Sequence, residues 1–507
     1  MDSELSRQIM ELIRANDTER FDDVIAGMND GRISYHLGSL RTAFLRCFVS
    51  DGTRALDAGA GFGALTGILL DHFETVDALE QDPVFIEGLK TRYRHRRNLN
   101  VISEPDKSQK YDLILAADCL DRPGADRAEH LKKLKQLLAE NGTLICNFHN
   151  RLGIRYLCGG QDSCMPQPFL LYRPDALLSS TETEQLIRDT LGDTFRMYYP
   201  VPDSSWCQML FSDSDMPSGS IRDRLFSYDP YGQTQVIYEP DLYDDLLKEQ
   251  VFGTFANEFL VIYRAANEPS PQVTSAVISA DREEARAYSV SFLSDGTVRK
   301  AALYPEGTAS LAEMQKNTET LRERGVPVIR ETMIQDDVIM PRYYLPTLQN
   351  RLPAIAEEGE EQLEEVFDRL YEMILRSSET IRTEDWGPVL ETGYIDMIPL
   401  NIFCDGNEFL YFDQEFTMPA CPAGYIIYRA VLYAWLLIPD LETYYPREKM
   451  ERRFHLTGYL QKYQEMENAF VSVNRQWQRF GQYYAWQNQP QRAEENRRRL
   501  RGTQQND

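Results

Sequence analysis

The stretch RALDAGAGFGALTG, residues 54–67, sets glycines at positions 59, 61 and 63 behind an aspartate, Asp57, that closes a short apolar run. Any Cβ there would hold the backbone away from a ligand and restrict the turn from strand to helix, so the pattern predicts a ligand-cradling loop. Working outward to about residue 148, the runs RALDAG, TVDALE, NLNVIS, YDLILAA and GTLICNF alternate with LTGILLDHF, PVFIEGLKTRYRHR and AEHLKKLKQLLAEN. That alternation predicts strands joined by crossover helices into a parallel sheet. GSLRTAFLRCF upstream reads as a helix packed before the first strand. Downstream, Thr181 and Glu184 have the spacing of a capping box opening the helix TETEQLIRDTL, and FRMYYPV and FANEFLVIYR read as two further strands. The expectation is an α/β domain with a mostly parallel, seven-stranded sheet.

Gly59, Gly61 and Ala64 also satisfy the dinucleotide pattern G-x-G-x-x-G/A, so the glycines alone leave the ligand open. Asp57 decides between them: a carboxylate two positions before the first glycine repels a pyrophosphate and attracts the ammonium of S-adenosylmethionine. Glu80, in VDALEQD, is placed to accept hydrogen bonds from both ribose hydroxyls of either cofactor. Together LDAGAGFG and Glu80 resemble class I S-adenosylmethionine-dependent methyltransferases. The resemblance implies a Rossmann-like fold and a cofactor held by Asp57, Gly59, Gly61, Gly63 and Glu80. It further implies that Asp118, in AADCLD, covers the methionine moiety and that Glu104 or Asp106, in SEPD, holds the adenine amino group. Asp118 also reads as a helix cap, and the two acids of SEPD also read as solvated turn residues.

After the fifth strand, CNFHNRLGIRYLCGGQD, together with YHLGSLR and FANEFLVIYR, resembles bacterial methyltransferases of surface-polysaccharide synthesis in which a kinase-like domain follows the methyltransferase. The resemblance implies a glycan or glycan-phosphate acceptor and a glycosyltransferase as partner. His149 stands where the pattern has an acidic residue. A histidine can take the proton from an attacking sugar hydroxyl, whereas a phosphate oxygen is already anionic and needs no base. The other reading is that His149 and Asn150 only satisfy backbone groups at the strand end.

The second half reads as a separate domain. ARAYSVSFLSDGTVRKAALYP, residues 285–305, has the form of a hairpin around SDGT with Lys300 on its returning strand, followed by the amphipathic ASLAEMQKNTETLRERG. In YIDMIPLNIFCDGNEFLYFDQEF, Asp396, Pro399 and Asn401 keep a D-x-x-P-x-N spacing, with Asp413 beyond them. This resembles the protein-kinase and small-molecule phosphotransferase fold. The resemblance implies ATP and Mg²⁺, with Asp396 orienting a hydroxyl, Asn401 and Asp413 on the metal, and Lys300 on the phosphates. Glu313 is the expected partner of Lys300, with Glu319 the alternative. The departures are the missing glycine-rich loop, Tyr394-Ile395 in place of His-Arg, Ile398 in place of a lysine, and Asp-Gln-Glu in place of Asp-Phe-Gly. They leave open an inactive domain that binds a glycan or a partner.

The expected limits are a methyltransferase domain over 1–265 with a substrate-lid insertion at about 203–250, a linker over 266–284, a kinase-like domain over 285–485 and a polar tail over 486–507 read as frayed helix or disorder. A net charge of -25 argues against a nucleic-acid partner, since phosphate binding needs clustered cations. The basic cluster RYRHRR at 92–97 accordingly reads as a solvated helix end, and LQKYQEMENAFVSVNRQWQRFGQYYAWQ as a helical core stripe. The eight cysteines include no C-x-x-C pair; Cys158 and Cys164, the nearest two, read as reduced thiols. With no signal-peptide pattern and no apolar run long enough for a transmembrane segment, a cytoplasmic protein is expected, reaching the inner membrane face through partners.

Overall fold

The computed structural model describes the chain except residues 1–2, 122–125, 162–166, 170–176, 218, 223–224, 226, 230–233, 267–270, 407, 488 and 504–507. Cys164, parts of the 203–250 insertion and part of the 266–284 linker therefore lie outside the described residues. Two compact units divide the chain. The first comprises residues 1–281, 289–295 and 476–507, and the second 282–288 and 296–475.

The first unit is built on β1 (Gly52–Ala58), β2 (Phe73–Leu79), β3 (Leu99–Ile102), β4 (Tyr111–Ala116) and β5 (Leu138–His149), joined by helices Thr66–His72, Pro83–Arg92 and Arg127–Leu137. β1 lies between β2 and β4, and all five strands run parallel. The sheet continues through β6 (Phe195–Val201), β7 (Met209–Ser212), β8 (Glu258–Arg264), β9 (Val273–Ser279) and β10 (Tyr288–Leu293), in the order β10-β9-β7-β6-β8-β5-β4-β1-β2-β3. β8 is antiparallel to both β5 and β6. The sheet thus exceeds the expected seven strands, because the insertion contributes β7, which pairs with both β6 and β9.

Local chemistry sets the boundaries of the helices. Asp82 caps the helix that begins at Pro83, and Asp126 accepts from the Glu129 amide. The capping pair of helix Ser180–Leu191 lies two residues before the expected one: Glu182 accepts from the Ser179 amide at 2.8 Å and from its hydroxyl at 2.7 Å. GSLRTAFLRCF forms a 3₁₀ helix, Leu40–Cys47, rather than an α-helix.

Glycine-loop residue Phe62 is 1% exposed and joins a cluster with Leu5, Ile9, Ile13 and Phe21 of the N-terminal segments. Its ring meets Phe85 edge-on at 4.8 Å and His36 at 5.6 Å. A Cβ on Gly88 would come within 2.5 Å of that ring, so the helix after β2 can approach the loop only through a glycine. Arg92 is buried and donates to the carbonyls of Glu19, Phe62 and Leu37. Arg96 pairs with Glu19 and Asp71. RYRHRR is therefore only in part a solvated helix end: Arg94, His95 and Arg97 are exposed, while Arg92 and Arg96 tie the N-terminal segments to the loop and its helix.

The C-terminal segment 476–507 also belongs to this unit. In place of a frayed or disordered tail there is a helix, Pro490–Thr503, with Ala493 and Asn496 buried. It docks by polar contacts, Asn496 donating to the Gln235 carbonyl at 2.7 Å and Arg497 to that of Val236. The predicted Tyr- and Trp-bearing stripe breaks into helices Leu460–Asn474 and Trp477–Ala485, which fall in different units.

The second unit contains an antiparallel sheet of β11 (Thr297–Ala302), β12 (Thr332–Ile334) and β13 (Asp337–Pro341), with helix Thr308–Glu323 between β11 and β12. Helices Leu348–Glu358 and Glu360–Arg376 follow, then β14 (Thr380–Glu384), β15 (Gly387–Tyr394), the hairpin β16 (Ile402–Asp405) and β17 (Glu408–Tyr411), and β18 (Thr417–Pro422). β15 lies between β14 and β18. The apolar helix Ala423–Leu437 runs through the core of this unit, with Leu363, Phe367 and Leu370 packed in the same cluster.

Replacing Phe62 by alanine is expected to lower the stability of the first unit by about 3–5 kcal/mol, the usual cost of truncating a buried phenylalanine. Urea unfolding of the variant checks this, and a loss under 1 kcal/mol would show that the loop does not depend on this plug.

Candidate functional site

In the first unit the glycine loop leaves the carboxyl end of β1 with Gly59, Gly61 and Gly63 all at positive φ, 96°, 57° and 81°. The values at Gly59 and Gly63 favour glycine strongly, while Gly61 lies in the left-handed region that Asp118 and Asp413 also enter. A Cβ at Gly61 would meet nothing within 4 Å, so this glycine borders open space. At Gly63 it would strike Tyr93, whose hydroxyl donates to the Gly63 carbonyl at 2.6 Å. Gly61 thus borders open space, whereas Gly63 lies against the helix behind the loop.

Asp57 is buried, its Oδ2 accepting from the Thr66 hydroxyl at 2.6 Å. Burial pushes its carboxyl up to about 6, against the Thr66 hydrogen bond and the Arg41 charge. The carboxylate that the sequence placed beside a ligand's ammonium thus also ties β1 to the start of the following helix. Glu80 clasps the loop: Oε2 accepts from the Gly61 amide at 3.0 Å, and Oε1 from the amides of Gln81 and Asp82. With Oε1 fully used by those two bonds, Oε2 keeps one lone pair for a ribose hydroxyl, fewer than the two-hydroxyl acceptor expected. Asp106 accepts from the Ser108 amide and hydroxyl, as a turn residue does, and Glu104 is exposed.

Asp118, just past β4, has φ 54° and is more fully engaged than any cap. Its Oδ2 accepts from the Tyr35 hydroxyl at 2.6 Å and from Arg41 Nη2 at 2.5 Å. Its Oδ1 accepts from the Asn147 amide group at 2.6 Å, and Asn147 Oδ1 in turn accepts from the Asp118 backbone N–H at 2.7 Å. Despite burial, the donors and cations around it hold its carboxyl well below the usual range. A small pocket beside it is lined by Arg41, Phe44, Leu65, Cys146 and Asn147.

His149 ends β5 with Nε2 3.4 Å from Asp118 Oδ1 and Nδ1 3.5 Å from Glu258 Oε1, and all three side chains are buried. Register explains Glu258: it is the residue of β8 directly opposite His149. Burial pushes its carboxyl up to about 7, with the imidazole opposing. Asn150, by contrast, donates to the carbonyls of Thr254 and Ala256, the backbone role that the plainer reading gave it. Tyr35, Arg41 and Glu258 were not singled out from sequence. Two of them lie in YHLGSLR, and Glu258 is a lone charge at the start of an apolar strand, which was the available signal.

Residues 56–144, from β1 into β5, match the family model described as a methyltransferase domain. The first unit carries a class I S-adenosylmethionine-dependent methyltransferase domain. No curated protein matches the chain. Among solved structures, a precorrin-6y C5,15-methyltransferase from Geobacter metallireducens is 15% identical over 21% of this chain and 60% of its own, with TM-score 0.19. The CurJ carbon methyltransferase is 16% identical over 43% and 50%, with TM-score 0.25. The plantazolicin methyltransferase BpumL, in complex with SAH, is 13% identical over 51% and 89%, with TM-score 0.29. The chain thus spans 60% and 50% of the first two, and at these TM-scores none of the three bears on substrate. The residues of this loop suit such a cofactor, with open space at Gly61 and the Glu80 carboxylate beside it at the end of β2.

In the second unit Lys300 is buried on β11, its Nζ bonded to both Asp413 Oδ1 and Glu415 Oε1. The expected partner Glu313 does not reach it: Glu313 pairs with Arg286 at 3.2 Å. The next residue, Met314, occupies the face toward Lys300, with Sδ 3.5 Å from Nζ, because successive helix positions are turned by about 100°. Glu319 accepts instead from Gln315. Asp396 is buried, accepting from the Phe416 amide at 2.9 Å and lying 3.6 Å from Arg429. Burial pushes it up to about 7, Arg429 opposing. Asn401 donates to the Asp396 carbonyl at 3.2 Å, and Asp413 has φ 57°. Asp396, Asn401, Asp413 and Lys300 therefore share one region, and Glu313 stands outside their hydrogen-bond network. Among the described residues no group of three His, Cys, Asp or Glu forms a preset metal site.

Arg41→Ala leaves the Asp118 carboxylate buried without its cation and is expected to cost about 3–5 kcal/mol. Folded Asp118 binds its proton less readily than unfolded Asp118. Its contribution is therefore complete above the ordinary carboxylate range and falls away as pH drops through it. Urea unfolding between pH 7 and pH 3 checks both points, with Arg41→Ala giving the flatter acid limb.

Proposed function

We propose that the first unit transfers a methyl group to an oxygen of a bacterial cell-surface glycan or glycan phosphate, and that the second unit is a kinase-like domain that phosphorylates that acceptor. The observation that carries the methyl-transfer reading is the glycine loop at the end of β1, open at Gly61 and clasped by Glu80 from the end of β2. S-adenosylmethionine, when bound, supplies an electrophilic methyl group. Gly59, Gly61, Gly63 and Asp57 would border its methionine end, Glu80 would face its ribose, and Asp118, fixed by Tyr35 and Arg41, would form the wall beside the methionine moiety.

Toward a hydroxyl acceptor His149 takes up the proton as the oxygen attacks, and the carboxylates of Asp118 and Glu258 on its two nitrogens stabilise the resulting imidazolium. Toward a phosphate oxygen the same residues only position. The glycan acceptor, a glycosyltransferase partner and a place at the inner membrane face rest on the resemblance carried by YHLGSLR, CNFHNRLGIRYLCGGQD and FANEFLVIYR. The described residues contain no helix long and apolar enough to cross a membrane.

In the second unit, Asp396 would orient the acceptor hydroxyl, Asn401 and Asp413 would hold Mg²⁺, and Lys300 would face the nucleotide phosphates. A second reading, an inactive glycan- or partner-binding module, is favoured by Tyr394-Ile395 and Ile398, which remove the cationic side chains expected around a catalytic aspartate and a γ-phosphate.

S-adenosylhomocysteine at about a hundred times its dissociation constant is expected to stabilise the first unit by about 2.7 kcal/mol, read as a thermal shift, and no shift would remove the methyltransferase reading. Labelled-methyl transfer onto an unphosphorylated acceptor should be lost in both Asp57→Ala and Asp396→Ala. Full activity of Asp396→Ala would move the second unit to a binding role. His149→Gln should lower turnover on a hydroxyl acceptor by about 10²–10⁴-fold. Unchanged turnover would assign the acceptor atom to an already ionised phosphate.

A further inference from the structure

Asp-Gln-Glu in place of Asp-Phe-Gly reads as a loss from sequence, yet Glu415 has a defined position. It is 3% exposed, and its two oxygens are divided between cations: Oε1 on Lys300 Nζ and Oε2 on Arg282 Nη1 at 3.3 Å. Arg286 donates to the Glu415 backbone carbonyl at 3.2 Å and to Glu313 Oε2 at 3.2 Å. Arg286 thus pairs with the helix glutamate that would otherwise serve the lysine, while Arg282 orients the carboxylate that does. The Asn317 side chain donates to the Gln414 carbonyl at 3.0 Å and Gln414 Nε2 donates to the Asp396 carbonyl at 3.2 Å, holding the residue before the acid, and the Phe416 amide after it donates to Asp396 Oδ2 at 2.9 Å.

We infer that Glu415 is the positioning residue of Lys300: this chain anchors its phosphate-facing lysine from the 413–415 segment and not from helix Thr308–Glu323. The inference rests on reading the second unit as a nucleotide site, and it gives the acidic third residue of Asp-Gln-Glu a role. Lys300 is also bonded to Asp413. If Asp413 turns to a metal ion, Glu415 still fixes the ammonium, and the lysine stays in place without any movement of the helix. Removing Glu415 leaves Lys300 to compete with the metal for Asp413 alone.

Two measurements on the full chain test this. Titration with Mg-ATP is expected to show at least tenfold weaker binding for Glu415→Gln, recovery of part of that loss in Glu415→Asp, and wild-type affinity for Glu313→Gln. Weakening by Glu313→Gln with Glu415→Gln unaffected would overturn the assignment. The second measurement needs no nucleotide. In trace acetylation with acetic anhydride at pH 9, read by mass spectrometry, Lys300 should be modified at least threefold faster in Glu415→Gln than in wild type or Glu313→Gln, with Glu415→Asp near wild type. Equal rates in all four proteins would overturn the anchor whatever the titration gives. Faster labelling of Glu415→Gln in a chain that binds no Mg-ATP would uphold the anchor and remove the nucleotide reading alone.

Discussion

The first unit is organised around one buried carboxylate. Asp118 lies at the end of β4, and a charge in that position is tolerated only when it is paired and hydrogen-bonded throughout. Its donors come from three other parts of the chain: Tyr35 from helix Gly31–Leu37, Arg41 from the 3₁₀ helix, and Asn147 from β5. His149 extends the network to Glu258 on β8. Loss of register between β4, β5 and β8, or of the N-terminal segments, would leave a charge unpaired in the interior. The same requirement that fixes the fold here therefore also assembles the wall of the proposed methyl-transfer site.

The glycine loop depends on its surroundings in a similar way. Phe62 points into the N-terminal cluster, Tyr93 and Arg92 hold the loop carbonyls, and Glu80 holds the Gly61 amide. The backbone polar groups of the loop are thus tied from behind, leaving Gly61 facing open space. Such pre-organisation lowers the ordering cost of binding, because the loop does not have to be arranged by the ligand.

The second unit repeats the theme with the opposite balance. Lys300 is a buried cation whose ammonium two carboxylates hold above the ordinary lysine range despite burial. Around it, burial pushes Asp396 and Glu331 up to about 7 and raises Glu415, in each case against the neighbouring cations. Asp413, bonded to Lys300, is the exception and is lowered. Charge in this region is shared among neighbours, so the role of one residue follows from which partner its neighbours have already taken, as Arg286 does for Glu313.

What the sequence determined by itself was local. The five parallel strands, the crossover helices between them and the glycine loop were legible because each rests on short-range rules: alternation of apolar runs, caps, and turns that favour glycine. The turn at LDAGAGFG was legible for the same reason, whereas the clasp of Glu80 on the Gly61 amide was not. Tertiary structure decided the pairings. It brought Arg41 to Asp118 over 77 residues, set Glu258 opposite His149 through strand register, and gave Lys300 to Glu415 in place of Glu313. It also buried Arg92, which in sequence is one of a basic run, and turned a polar tail into a docked helix held by hydrogen bonds to backbone carbonyls. The physical reason is the same in each case: which charge pairs with which depends on the strand registers and helix faces that bring distant side chains within a few ångströms, and no local pattern of residues encodes that distance.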